Sequence, residues 1–171
     1  MNIVILNGSP RPNGHTTKFV KKFIEGAKLN NHNIMHHQVG LMKISGCIAC
    51  EYCHSIGNGK CAITDDMQKI YNDLQVADMI IFASPVYYFG LTGQLQSTIS
   101  RFYAVGKPQK VAKFGLILTS ASSDVYDAIF DQYNKILDYF NAKDMGIITA
   151  YGTERDNDDK LLEVYDFGNR L

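Results

Sequence analysis

All four cysteines of this 171-residue chain fall between Cys47 and Cys61, in the run Cys47-Ile48-Ala49-Cys50-Glu51-Tyr52-Cys53 followed by seven residues and Cys61. Four thiols in so short a stretch are hard to explain as scattered core residues, and they read as one ligand set or one redox device. The first residues, Met1 to Leu6, run directly into a strand pattern, with no basic n-region and no small-residue cleavage site. A cytoplasmic address is therefore expected. Thiols stay reduced there, so metal binding or redox chemistry outranks structural disulfides.

Three further segments carry polar or aromatic residues suited to binding. Asn7-Gly8-Ser9-Pro10-Arg11-Pro12-Asn13-Gly14-His15-Thr16-Thr17 combines flexible glycines with hydroxyl and amide donors and one fixed cation, just ahead of a helix pattern. Those are the parts of a phosphate cradle. The segment lacks both G-x-G-x-x-G and the Gly-Lys-Ser/Thr of a Walker A loop. The plainer reading is a polar turn in which Thr16 or Asn13 caps the helix. Ser84-Pro85-Val86-Tyr87-Tyr88-Phe89-Gly90 places three consecutive aromatics in a turn setting. Exposing them is costly unless a flat ligand or a partner subunit covers them, or one tyrosine packs under the next helix. Thr119-Ser120-Ala121-Ser122-Ser123 is small and hydroxyl-rich, suited to a polar ring edge or, more plainly, to capping a helix with Ser122 or Ser123 and Asp124 in its first turn.

Positioning these segments requires a scaffold, and its pattern is legible. Ile3–Leu6, Met79–Ala83, Phe114–Leu118 and Gly146–Ile148 with Thr149 and Ala150 are apolar runs without alternation, as parallel strands covered on both faces require. Asn33–Val39 is more polar and suits an edge strand. Between them lie helical stripes: Phe19, Val20, Phe23, Ile24 and Ala27; Met67, Ile70, Tyr71 and Leu74; Leu91, Leu95, Ile99 and Phe102; Ile129, Tyr133, Ile136, Leu137 and Phe140; and, more weakly, Leu161, Leu162 and Tyr165. Strands alternating with helices predict a three-layer, doubly wound α/β fold. Its ligand site lies beyond the carboxyl ends of the strands, where the three segments fall. One domain spanning residues 1–171 is expected, with the cysteine motif inserted at about 44–64. Seventeen basic and seventeen acidic residues cancel without forming a basic stripe, so no nucleic-acid footprint is indicated. No apolar stretch approaches the length of a bilayer span.

Gly8-Ser9-Pro10-Arg11 with Gly14 and Thr16-Thr17, followed by Ser84-Pro85-Val86-Tyr87-Tyr88-Phe89-Gly90, resembles the flavodoxin-like NAD(P)H-dependent FMN reductase family in motif and in order, across nearly the whole chain. Ile44 to Met67 resembles the compact cysteine motif of its iron–sulfur flavoprotein branch. The resemblance implies a five-stranded parallel sheet of order 2-1-3-4-5, FMN as cofactor and NAD(P)H as co-substrate. It places the phosphate near Ser9, Arg11, Asn13, Gly14, Thr16 and Thr17. The isoalloxazine falls against Pro85, Val86, Tyr87, Tyr88, Phe89 and Gly90, with Thr119 and Ser120 at the ring edge. It also implies a homodimer or homotetramer.

In that setting Cys47, Cys50, Cys53 and Cys61 suit one [4Fe-4S] cluster, which needs four thiolates around one core. Zinc accepts four thiolates too, although its usual arrangement is two separated pairs. Empty thiols are the third alternative. FMN takes a hydride and releases electrons singly, whereas a cluster takes one at a time. The expected enzyme takes electrons from NAD(P)H or ferredoxin and passes them to a small acceptor such as a quinone, free flavin or an oxygen species. No catalytic acid, base or nucleophile stands out. The alternative is a flavodoxin-type electron carrier without turnover of its own, against which the zero net charge weighs.

Overall fold

Ile3, Val4, Ile5 and Leu6 are all fully buried, although successive residues of a strand face opposite sides of its sheet. Both faces of that strand must be covered. A computed structural model, which describes residues 1–106 and 110–171, shows how. Five strands, β1 (Asn2–Asn7), β2 (Asn33–His37), β3 (Met79–Pro85), β4 (Lys113–Ser120) and β5 (Lys143–Tyr151), alternate with helices α1 (His15–Ala27), α2 (Gln68–Val76), α3 (Gly93–Ser100), α4 (Asp127–Phe140) and α5 (Asp158–Asn169). The strands form one sheet in the order β2-β1-β3-β4-β5, with every neighbouring pair parallel. This is the flavodoxin-like architecture implied by the motifs.

On one face Val4, Leu6, Ile80, Phe82 and Leu116 pack against α2, α3 and α4. On the other, Ile3, Ile5, Ile81 and Ile117 pack against Phe19, Val20 and Phe23 of α1 and Leu161, Val164 and Phe167 of α5. The apolar runs are the central strands, and the half-polar β2 takes an edge, as its composition demands.

Several element boundaries differ from the sequence expectation. β2 stops at His37, and Val39 turns into a short helical turn, Val39–Leu41, where it is buried. α3 starts only at Gly93, because the Thr92 hydroxyl caps it; Leu91 precedes the helix and Phe102 lies in a following turn, Arg101–Ala104. α5 buries Leu161, Val164 and Phe167, while Leu162 is 56% exposed. The short stripe visible in sequence had missed the longer one that begins at Leu161 and continues through Phe167.

α1 and α5 approach closely enough that their backbones touch. A Cβ added at Gly168 would overlap the carbonyl of Phe23 and lie 2.8 Å from the amide nitrogen of Ala27. Phe23 and Phe167 then meet edge to face at 5.2 Å. Gly168→Ala is expected to cost about 2 kcal/mol, because backbone cannot yield as a side chain can. Urea denaturation should show a lower midpoint with an unchanged m-value.

Candidate functional site

The loop leaving β1 is coiled by its own hydrogen bonds. The buried Asn7 accepts the Ser9 amide at 3.0 Å and donates to the Thr17 hydroxyl at 3.1 Å. The Arg11 carbonyl accepts from the Gly14 amide (3.1 Å), the Thr17 hydroxyl (3.0 Å) and the Ser9 hydroxyl (3.2 Å). α1 then begins after Gly14 with no side-chain cap and no acidic residue in its first turn. The plain capping role for Thr16 or Asn13 is thus not met. The Thr16 hydroxyl instead meets that of Thr119 at 2.6 Å, tying this loop to the end of β4, and Asn13 is exposed. The leading amides and positive dipole end of α1 are left for an anion.

These groups open into a cavity of about 270 Å³ lined by Ser9, Arg11, Gly14, His15, Thr16, Pro85, Val86, Tyr87, Thr119, Ser120, Ala121 and Arg155. Thr17 and Asn13 are not among its walls; Thr17 shapes the loop through Arg11. Gly8 does not face the cavity either. A Cβ there would meet the Thr92 hydroxyl at 2.5 Å and Leu95 Cβ at 2.9 Å, so its lack of a side chain serves packing on α3.

Three wall residues, His15, Ala121 and Arg155, lie outside the set singled out from sequence. Arg155 stands in the helical turn Gly152–Asp156 after β5, its Nε donating to the Gly152 carbonyl at 2.7 Å. His15 opens α1 and pairs with Asp156 at 3.3 Å. The available signal for Arg155 was a glycine closing a strand (Gly152, φ +50°) with a cation three residues on. It becomes readable only once β5 is known to end beside β4.

The loop after β3 forms a tight hairpin turn. Tyr87 and Gly90 exchange both backbone hydrogen bonds, at 3.0 and 3.1 Å. Tyr88 and Phe89, between them, have φ of +48° and +62°. This left-handed pair suits Asn-Gly and strains bulky residues. No tyrosine of this loop packs under the next helix: Tyr87, Tyr88 and Phe89 are 48%, 100% and 59% exposed. Tyr88 and Phe89 instead border a second, open cavity of about 250 Å³, with Val86, Ser120, Ala121, Ser122 and Val125. It shares Val86, Ser120 and Ala121 with the first, so the two lie side by side. Gly90 closes the turn without lining either.

The loop after β4 also departs from the capping expectation. Ser122 and Ser123 cap nothing, because α4 starts at Asp127, after Tyr126. Ser120 donates to the Ser122 carbonyl and shares a bond with the Tyr126 hydroxyl, each at 2.6 Å. Burial above all pushes the Tyr126 hydroxyl up, so it stays protonated. Thr119 and Ser120 therefore sit in both the wall and the scaffold.

Between β2 and α2 the chain gathers the four cysteines around a narrow cleft of only about 10 Å³, together with Ile48, Glu51, Ala62, Ile63, Arg101, Tyr103 and Ala104. Ala49 and Glu51 take left-handed φ (+52° and +56°), which turns the chain between successive cysteines. The Ala49 amide donates to Cys47 Sγ at 3.4 Å. Cys53 is buried and Cys61 partly so, while Cys47 and Cys50 are exposed. Burial pushes the Cys53 thiol up, so its thiolate requires positive charge nearby. Among the described residues no three His, Cys, Asp or Glu side chains converge as a single ion would require. A cubane asks for something else, four thiols spread around one core, each meeting a different iron. Cys47, Cys50, Cys53 and Cys61 line one cleft.

The family described as NADPH-dependent FMN reductase matches residues 1–154. An iron–sulfur flavoprotein of Methanocaldococcus jannaschii is 33% identical over 101 residues, 59% of this chain and 51% of that protein. Another, from Archaeoglobus fulgidus, is 25% identical over 175 residues, 100% of this chain and 79% of that protein. For most of these curated relatives the matched region is about half of their length. Among solved structures, an FMN-dependent NADH-azoreductase from Bacillus anthracis in complex with FMN superposes with a TM-score of 0.70 at 17% identity, covering 99% of this chain and 97% of that one, a likeness of fold. With its motifs, its strand order and this match in agreement, the chain belongs to the NADPH-dependent FMN reductase family.

Proposed function

We propose that the protein is an FMN-dependent oxidoreductase that takes electrons from NAD(P)H, or from ferredoxin, and passes them to a small acceptor such as a quinone, a free flavin or an oxygen species, with a [4Fe-4S] cluster on its four cysteines. One observation carries the reading. An uncapped helix start flanked by Arg11 and Arg155 stands on one side of a cavity whose other wall, Pro85, Val86 and Tyr87, leads into an exposed, strained aromatic turn. A molecule with a phosphate at one end and a flat apolar ring at the other matches both walls.

FMN there would supply hydride acceptance and stepwise electron release, and a cubane one-electron exchange. The chain's own residues do the rest. Arg11, Arg155 and the first amides of α1 hold the phosphate dianion by charge-assisted hydrogen bonds. The Ser9 hydroxyl bonds both the amide and the carbonyl of Arg11 and so keeps that residue in place. The Thr16–Thr119 bond keeps the two walls at fixed separation. Val86 and Tyr87 cover the ring and exclude water, and the hydroxyls of Thr119 and Ser120 orient its polar edge. The exposed Tyr88 and Phe89 are consistent with a second copy completing the pocket in a homodimer or homotetramer. No helix among the described residues is long and apolar enough to cross a membrane, and free thiols suit a reducing, cytoplasmic setting.

Anaerobically purified protein is expected to contain about one FMN and about four iron per chain, and Cys50→Ala to remove the iron while sparing the flavin. Steady-state oxidation of NADPH with a quinone acceptor should then be rapid and FMN-dependent. Reduction by ferredoxin alone would make the protein a carrier, and a colourless protein that took up no added FMN would overturn the reading. The aromatic turn offers an independent check. The double variant Tyr88→Asn, Phe89→Gly should raise unfolding stability by about 1–2 kcal/mol through relief of left-handed strain, while weakening FMN binding about tenfold through loss of ring contact. Calorimetry and fluorescence titration read the two effects separately.

A further inference from the structure

Arg101 is the most deeply buried charge among the described residues, with a side chain 1% exposed. It stands at the end of α3, outside the flavin cavity. Its Nη1 donates to Asp65 at 2.9 Å and to the Ser45 carbonyl at 3.0 Å, its Nη2 to the Ile63 carbonyl at 3.2 Å, and its Nε to the Tyr71 hydroxyl at 3.1 Å. Ser45 lies just before the first cysteine, and Ile63 and Asp65 just after the last. One guanidinium thus grips both limbs of the cysteine segment. Asp65 reinforces the grip by accepting the Ser45 amide at 2.9 Å.

The placement of charge is asymmetric. Arg101 lines the cavity with the four thiols, whereas Asp65, its counter-ion, does not. Arg101 therefore borders the thiols, and its carboxylate partner stands outside their cleft. Four bonds use four of the five guanidinium N–H groups, and the fifth, on Nη2, has no partner among the described residues.

We infer that Arg101 is the positioning and potential-setting residue of the four-cysteine site: its fork closes the loop around the cluster, and its charge favours the reduced cluster. The inference rests on the reading that the thiols hold a [4Fe-4S] core. Such a core with four thiolates carries two net negative charges, and one-electron reduction, from flavin or from dithionite, adds a third. A bordering cation lowers the cost of that added charge. Asp65 partly cancels it, so the two residues act in opposite directions on the potential while acting together on the loop.

The test compares wild-type protein, Arg101→Gln, Arg101→Lys and Asp65→Asn, all reconstituted anaerobically with iron and sulfide, measuring iron, sulfide and FMN content and the cluster midpoint potential. Arg101→Gln should lower the reduced-to-oxidised ratio at fixed potential about tenfold, equivalent to ~59 mV for one electron, and should bind at least twofold less iron. Arg101→Lys should lose iron similarly and keep the potential. Asp65→Asn should shift the potential upward, opposite in sign to Arg101→Gln. That reversal supports an electrostatic role, since a loop support alone would move both the same way. If Arg101→Gln takes up no iron, the sign of the Asp65→Asn shift decides. An unchanged or lowered potential in Asp65→Asn, or wild-type values in Arg101→Gln, would overturn the role of Arg101 while leaving the cluster in place. Wild-type protein with bound FMN but no iron or sulfide would overturn the cluster reading and this inference with it.

Discussion

Because every strand runs parallel to its neighbours, all five carboxyl ends emerge along one edge of the sheet, and the loops that follow them are forced together there. Sequence-distant segments at residues 9–16, 85–90, 119–122 and 155 thereby become one wall system. The arrangement needs no long-range design beyond burial of the central strands, since a strand covered on both faces has to pair on both sides and send its connections over the sheet. Direct ties across this edge include the bond between the hydroxyls of Thr16 and Thr119, the His15–Asp156 pair and the Val86 amide on the Thr119 carbonyl.

The cysteine segment depends on a different constraint. It has no strand pairing, only a short helical turn at Tyr52–His54, and little apolar surface beyond Cys53 to anchor it. Its order comes from polar ties to α3 and the turn after it. Arg101 holds its two limbs, Ser100 accepts the Cys47 amide at 3.0 Å, and the Tyr103 hydroxyl donates to Glu51 at 2.9 Å. Tyr71, whose hydroxyl is pushed up to about 12 chiefly by burial, stays protonated beneath Arg101. Breaking a buried pair by removing one partner typically costs about 3–5 kcal/mol. The same bonds that organise the thiols are therefore among the least replaceable in the molecule.

Strain at the aromatic turn belongs to the same economy of function. Two bulky residues with positive φ and wide exposure lower stability without packing gain in the free chain. Their position beside the cavity shared by Val86, Ser120 and Ala121 is where such a cost would be offset by a bound ring.

Some features could be read without coordinates, because they depend on neighbouring residues alone. The uninterrupted apolar runs specified buried parallel strands, and the half-polar run specified the edge. Even there, short-range patterns misjudged α5, whose true stripe through Val164 and Phe167 extends past the segment that stood out. Other features were decided only by folding. Capping at the start of α1 failed because Thr16 had a better partner more than a hundred residues away in Thr119. Gly8 proved to serve packing on α3, and Arg155 joined the cavity wall because β5 ends beside β4. No local pattern marks Arg101, whose place is decided only when the chain brings Ser45, Ile63 and Asp65 around it. Local sequence determines what each segment prefers, whereas a buried hydrogen bond or ion pair is settled by which distant groups arrive without water to compete for them.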